Sequence, residues 1–325
     1  MSPSKTQLDL NAGHSLNRLD RVARWHFSPS LRQLMPSSVL HAARELRTRV
    51  LSFYIVRRLP RHKEFSQSAD DAQASASLSI VVPVHDAPAI AKRCLTSLEK
   101  YAPKAEIILI DDASKLEETR KLLEDFSTRN RWRLIRHPEA LGHSAASSVG
   151  VSVATRPYLC LLNSDTVVTP WCWRPIVQAF EQDSTIGVAG PSTSSGGYQA
   201  LPLAYSVRHH LTDNQICVYA HHLITGRSDT SPIDAPSISG FAFCIRRDLW
   251  DRLGGFDPSL PDYGNEIEFC RRAAAAGYRL VWVRSSYIHH FGQASYGGTI
   301  GVPSIMTRIH SAERYIDQKY RGGGS

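Results

Sequence analysis

The stretch Tyr158-Leu-Cys-Leu-Leu-Asn-Ser-Asp-Thr-Val-Val168 decides how the chain is read. Its first five residues form a short apolar run, which predicts a buried strand of a mainly parallel sheet. The run breaks at the polar triplet Asn163-Ser164-Asp165, and Pro170 with an aromatic cluster follows. In an open α/β sheet, ligands collect outside the carboxyl ends of the strands. A carboxylate there, beside an amide and a hydroxyl, suits a hard divalent cation carrying phosphate oxygens. The same aspartate could equally cap the element that follows, and the triplet alone supports both readings.

Upstream, Leu78-Ser-Ile-Val-Val82 predicts a strand ended by Pro83, with a polar turn through His85-Asp86. A helix over 89–100 would present Ile90, Cys94, Leu95 and Leu98 on one face. Glu106-Ile-Ile-Leu-Ile110 is a second strand ending in Asp111-Asp112-Ala-Ser114. A helix over 116–126, a short strand over 133–135 and a small-residue helix over 142–154 lead to the quoted stretch. Downstream come a helix over 173–181, a strand over 186–189, and a region, 191–236, with no clear period. That region reads as loops with one short extended segment. Then follow a strand over 239–245, a helix over 248–253 closed by Gly254-Gly255, a helix over 267–276 and a strand over 280–283 before His289-His290. Strands alternating with helices predict an α/β, doubly wound, mostly parallel sheet of Rossmann-like type.

At 325 residues, 42% hydrophobic and 21% charged, the chain can bury one large core with appendages. No apolar run approaches the roughly 18 residues of a membrane span, and the polar first thirty residues lack a secretory pattern. The net charge of +8 is concentrated between Arg18 and Lys63. Residues 38–60 read as a basic amphipathic helix, suited to a membrane surface, to its own domain or to a second subunit. The six cysteines show no C-x-x-C spacing and read as small core residues of a reducing compartment. The expected division is an N-terminal extension over 1–77, with a linker at 64–76, a main domain over 78–295, and a C-terminal helix and tail over 296–325. The expected location is cytoplasmic, peripheral on the inner face of a membrane.

Taken singly, the polar sites are weak. Asp111-Asp112 could cap a helix, Glu266 and Glu268 could simply favour a helix start, and His290 alone could be structural. Their order is more specific: Pro83-Val84-His85-Asp86, Asp111-Asp112-Ala-Ser114, Asn163-Ser164-Asp165, Gly254-Gly-Phe-Asp257, Tyr263-Gly-Asn-Glu-Ile-Glu268 and His290-Phe-Gly-Gln-Ala-Ser295. Over residues 78–295 this pattern resembles the family 2 glycosyltransferases of the GT-A fold, inverting enzymes that use nucleotide-sugar donors.

The resemblance implies that Pro83, Val84, His85 and Asp112 hold the nucleobase and ribose, with Asp111 close by. Asn163-Ser164-Asp165 stands at the family's D-x-D position, so Asp165 would bind a divalent metal, Mn2+ or Mg2+. His290 matches the H-x-x-G-x-S histidine and would be a second metal ligand, while Gly240 and Phe241 would approach the donor sugar. Glu266 takes the place of the catalytic base, and Glu268 would orient a loop or backbone group. Three departures stand out: Asn163 and Asn265 replace acids, and Ser148 stands where the family commonly has Asn. UDP- or dTDP-sugars are the favoured donors, with GDP-sugars also compatible. The acceptor would be a glycan, a lipid-linked or a protein hydroxyl, meeting residues 191–236 and 293–304, with no nucleic-acid partner. The helix around Tyr315 would close over the site or mediate a homodimer.

A nucleotidyltransferase would want a Gly-rich basic loop after the first strand, and a nicotinamide enzyme a G-x-G-x-x-G; neither is present. The non-enzyme alternative is a catalytically silent binding module, favoured by Asn163 and Asn265.

Overall fold

Leu78, Ile80, Val81 and Val82, and then Ile107 to Ile110, are shut away from solvent almost completely. Two consecutive runs buried on both faces are what a parallel sheet covered by helices demands. The computed structural model describes residues 65–201, 208–225, 230–292 and 302–320. The basic segment over 38–60 lies outside the described residues, as do residues 293–300, which include the end of the His290–Ser295 motif.

The chain divides into two units, 66–200 with 231–325 and 1–65 with 201–230. In the larger unit the elements run α1 (Ala69–Ser75), β1 (Leu78–Val84), α2 (Pro88–Tyr101), β2 (Glu106–Asp111), α3 (Glu117–Asn130), β3 (Arg133–Arg136) and α4 (His143–Ser152). They continue as β4 (Tyr158–Leu162), β5 (Thr166–Val168), α5 (Trp173–Gln182) and β6 (Ile186–Ser192). In the smaller unit the described helix is α6 (Asp213–Thr225). The larger unit resumes with β7 (Ile233–Asp234), β8 (Ala242–Arg246), α7 (Arg247–Leu253), α8 (Asn265–Ala275), β9 (Arg279–His290) and α9 (Val302–Tyr320).

The sheet has nine strands in the order β3-β2-β1-β4-β8-β6-β9-β5, with β7 beside β9. β1, β2, β3, β4, β6 and β9 run one way, whereas β5, β7 and β8 run against them. The α/β, mostly parallel GT-A architecture expected from the sequence is therefore the fold. The antiparallel β8 between β4 and β6 is its one central interruption, and it brings the turn before Ala242 to the same edge as the end of β4.

Several boundaries differ from the sequence reading for identifiable reasons. β1 runs through Pro83 to Val84, because its pairing with β4 stops at Val81 and Pro83 faces one neighbouring strand, at Ile110. β9 extends to His290, so the histidine pair belongs to the strand and does not follow it. The 64–76 segment contains a helix where a linker was expected. Ser68 Oγ caps α1 by accepting from Asp71 N at 3.1 Å. Asp71, almost fully buried, accepts in turn from Trp173 N and Arg174 N at 3.1 and 2.8 Å, so α1 caps α5. The region over 191–236 contains a short 3₁₀ turn (Gly197–Gln199) and the unforeseen α6. The legible signal for α6 was a capping box, in which Thr212 Oγ1 accepts from Gln215 N and Gln215 Oε1 accepts from Thr212 N. Close approach also shapes the sheet's cover: a Cβ on Gly150 would overlap Val81, so only glycine lets α4 lie so near β1.

Burial pushes the Asp71 carboxyl up to about 6, against the hydrogen bonds of Arg174, Gln67 and Trp173. An aspartate raised in the folded state costs nothing below its unfolded pKa and costs progressively more as pH rises to the folded value. Asp71→Asn, which keeps an acceptor for the α5 amides, should therefore gain stability relative to the parent between pH 4 and pH 6.5. The expected relative gain is about 2–3 kcal/mol, read from urea unfolding at both pH values. A pH-independent difference would contradict this account.

Candidate functional site

The carboxyl ends of β1, β2 and β4, the turn before β8, and the starts of α4 and α8 surround a cavity of about 550 Å³. Its lining includes Pro83, Val84, His85, Asp112, Gly142, His143, Asn163, Ser164, Gly240, Phe241, Asp262, Glu266, His290 and Arg308. Residues separated by up to 225 positions thus meet at the sheet edge where an α/β fold places its ligand. Backbone strain gathers here too: Asp86 and Ala87 (φ 54° each) and Ala113 (φ 57°) occupy the left-handed region at the tips beyond β1 and β2.

The two adjacent aspartates after β2 do different work. Asp112 turns toward the cavity side, where Oδ1 accepts from Leu141 N at 2.8 Å and Oδ2 from Gly142 N at 3.0 Å. His137 Nδ1 lies 2.9 Å from the same carboxylate, and His85 Nδ1 lies 2.7 Å from the Asp112 carbonyl. Asp111 turns away from the cavity, accepting from Ser114 N at 2.9 Å and facing Arg136 Nε at 3.4 Å. Asp111 is therefore an organiser of the turn, outside the cavity lining.

At the end of β4 the polar triplet divides in the same way. Asn163 and Ser164 line the cavity, while Asp165 is nearly buried behind them. The pairing of β5 with β9 sets Thr166 against His290, and His290 Nε2 reaches Asp165 Oδ1 at 3.2 Å. The other ring nitrogen, Nδ1, lies 2.6 Å from the Ser195 carbonyl, an acceptor only, so it carries the proton. In the neutral ring Nε2 then offers a lone pair toward a carboxylate, a contact that a proton or a cation must mediate. Phe241 stacks on the ring at 5.2 Å and fixes its plane. An oriented imidazole beside a carboxylate fits a divalent cation. No group of three or more His, Cys, Asp or Glu side chains arranged to hold a metal occurs among the described residues. A cation here would draw its remaining ligands from a substrate and water, as Mg2+ and its like do on phosphates.

Glu266 stands in the first turn of α8, half-buried at the cavity wall. Burial raises its carboxyl above the ordinary value, partly offset by the backbone N–H groups of Glu266 and Gly240. A Cβ on Gly240 would lie 3.3 Å from the Glu266 carboxyl carbon, so the glycine makes room for it. Asn265, the residue in place of an acid, is buried and structural: Nδ2 donates to Ser144 Oγ at 2.6 Å and Oδ1 accepts from Glu266 N at 2.8 Å. It ties the start of α8 to the start of α4, and an amide can do both at once where a carboxylate could only accept.

Glu268 is fully buried and anchors two elements. Arg272 Nε donates to it, and the same guanidinium donates to the carbonyls of Leu253 and Gly255 at 2.7 Å each. From α9, Lys319 Nζ and Tyr320 OH reach Glu268 Oε1 at 2.7 and 2.8 Å. Lys319 Nζ and Tyr315 OH also reach Asp257 Oδ2, at 2.7 and 2.8 Å. Against the upward push of burial, Lys319, Ser259 and Tyr315 hold Asp257 far below the usual carboxylate range. Leu260, Ala312 and Ile316 pack between these polar ties. Nearer the start of α9, Arg308 pairs with Asp262 at the cavity wall. Long-range contacts of this kind left no trace in the sequence, which marked Glu268 but neither Lys319 nor Arg308.

The residues 79–253 match the family model described as glycosyl transferase family 2, and the chain belongs to that family. The inactive polypeptide N-acetylgalactosaminyltransferase-like protein 5 of Macaca fascicularis is 25% identical over 221 residues, covering 65% of this chain and 49% of that protein. Among solved structures, the mannosyltransferase PcManGT from Pyrobaculum calidifontis, in complex with GDP-Man and Mn2+, superposes with a TM-score of 0.54 at 17% identity. That match covers 88% of this chain and 75% of the other. GalNAc-T7 with UDP, GalNAc and Mn2+ gives a TM-score of 0.53 at 23% identity, over 66% of this chain and 43% of the other. The chain spans about half the length of the curated relatives it matches.

Proposed function

We propose that the protein is an inverting glycosyltransferase that moves a sugar from a nucleoside-diphosphate donor to an acceptor hydroxyl. The observation that carries the reading is the convergence of Asp112, His290 and Glu266 on one cavity, with Asp165 paired to His290 behind its lining. Asp112 with Pro83, Val84 and His85 would bind the nucleoside, Asn163 and Ser164 the adjoining ribose and phosphates, and Gly240 with Phe241 the sugar. Asp165 and His290 would hold Mn2+ or Mg2+, which supplies positive charge to the departing diphosphate. The carboxylate of Glu266 takes the proton of the acceptor hydroxyl. That oxygen bonds to the anomeric carbon as the bond to the diphosphate breaks on the opposite face, so one base suffices and the centre inverts. The solved neighbours named above carry Mn2+ with a nucleotide or nucleotide sugar, which supports this donor class.

The cavity's charge balance supports the same reading. Asp112, Asp262 and Glu266 line it against one Arg or Lys among the described residues, Arg308, already paired with Asp262. A diphosphate entering that surface needs a cation with it. UDP- or dTDP-sugars remain the preferred donors and a glycan, lipid-linked or protein hydroxyl the acceptor. Residues 38–60 are the proposed contact with a membrane surface or second copy, on the cytoplasmic side.

Calorimetric titration of UDP, dTDP and GDP, each with and without manganese, tests the proposal. One nucleotide should bind, and manganese should tighten it. A well-folded protein that binds none of them would favour a silent module, the reading to which Asn163, Asn265 and the inactive relative point.

A further inference from the structure

His143 opens α4 at the cavity wall, and its ring makes no hydrogen bond among the described residues. Three other polar groups of the lining are already engaged: Asp112 by the Leu141 and Gly142 amides, Asp262 by Arg308, and His290 by Ser195. We propose that His143 is a donor-binding residue whose ring N–H hydrogen-bonds a phosphate oxygen of the nucleoside diphosphate. The inference rests on the nucleotide-donor reading and adds to it a further side chain on the diphosphate.

Position carries the argument. Asp262, Asp165 and Asp112 all act electrostatically on the His143 ring. The ring follows Gly142, whose N–H holds Asp112, and it shares the cavity lining with Asn163, Ser164 and His290. A nucleotide reaching from Asp112 toward His290 would lie along that lining. Arg308, the only Arg or Lys lining the cavity among the described residues, is held by Asp262, which leaves the phosphate oxygens to side-chain donors such as Asn163, Ser164 and His143. Burial pushes the imidazole down, against the pull of the three carboxylates, and favours the neutral ring. A neutral ring still donates one N–H, yet it does not repel a divalent cation held at Asp165 and His290.

The test is a ladder of ligands on the full chain at fixed manganese: uridine, UMP and UDP, with the thymidine and guanosine series beside it. In the series that binds, His143→Phe should weaken the diphosphate by roughly 10–100-fold, as expected for a lost hydrogen bond to a charged group. The nucleoside should bind as before. His143→Gln, whose amide also donates, should recover part of the loss. An equal loss already at the nucleoside, which would mean a ribose or base contact, overturns the inference. No loss at any step does the same. If the parent protein binds no member of any series, the donor reading falls and the inference with it. If the parent binds normally and the variants do too, the inference alone falls.

Discussion

Glu266→Gln should leave nucleotide affinity within about twofold while turnover falls by 10²–10⁴-fold, the usual range for loss of a general base. The substitution keeps the side chain's length and volume and removes only its capacity to take a proton. Because burial holds the carboxyl above its ordinary value, the acidic limb of turnover should lie higher than for an exposed glutamate. The sign is fixed by the chemistry: the base works ionised, so activity falls as pH falls through the raised value. Profiles of kcat against pH, measured once an accepted donor is in hand, should lose that limb in the variant. Unaltered turnover in Glu266→Gln would remove the residue from the reaction.

Asp165→Asn should erase the difference between nucleotide titrations with and without manganese. Asp165 is nearly buried, and its carboxylate faces a ring whose proton is pinned on the far nitrogen. Replacing it with an amide of the same shape removes the anionic ligand and leaves the Ser195 tie intact. The loss in metal-dependent affinity should exceed the roughly 10–100-fold that removal of an outer-shell partner costs. A thermal melt matching the parent would separate this result from misfolding. Retained manganese dependence would place the metal elsewhere.

The strands were legible because β1, β2 and β4 are buried on both faces and spell themselves as apolar runs. Asp112, Asn163, Ser164, Glu266 and His290 were legible for a related reason: each follows or ends such a run, or opens the next helix. What the chain could not display was direction. Successive side chains at a strand end point to opposite faces, so of Asp111 and Asp112 one had to leave the cavity, and only the structure says which. His143 was hidden in a run of small residues, where nothing distinguishes a cavity-facing ring from a surface one. α6 was obscured because its buried residues, Ile216 to Ala220, are consecutive and carry no helical period. Asn265 read as a damaged acid, yet its two hydrogen bonds give the amide a structural role of its own.

The ties between α9 and the loop beneath Glu266 bear on how the protein is made. Asp257, Asp262 and Glu268 bracket the segment leading into Glu266, and α9 contacts all three through Lys319, Tyr315, Tyr320 and Arg308. This helix leaves the ribosome after every strand of the sheet. A nascent chain therefore completes the sheet while the wall of the cavity that carries Glu266 still lacks its brace. On the proposed assignment of Glu266 as the base, its side of the cavity is set only once α9 has emerged, after the side formed by Asp112 and Asn163.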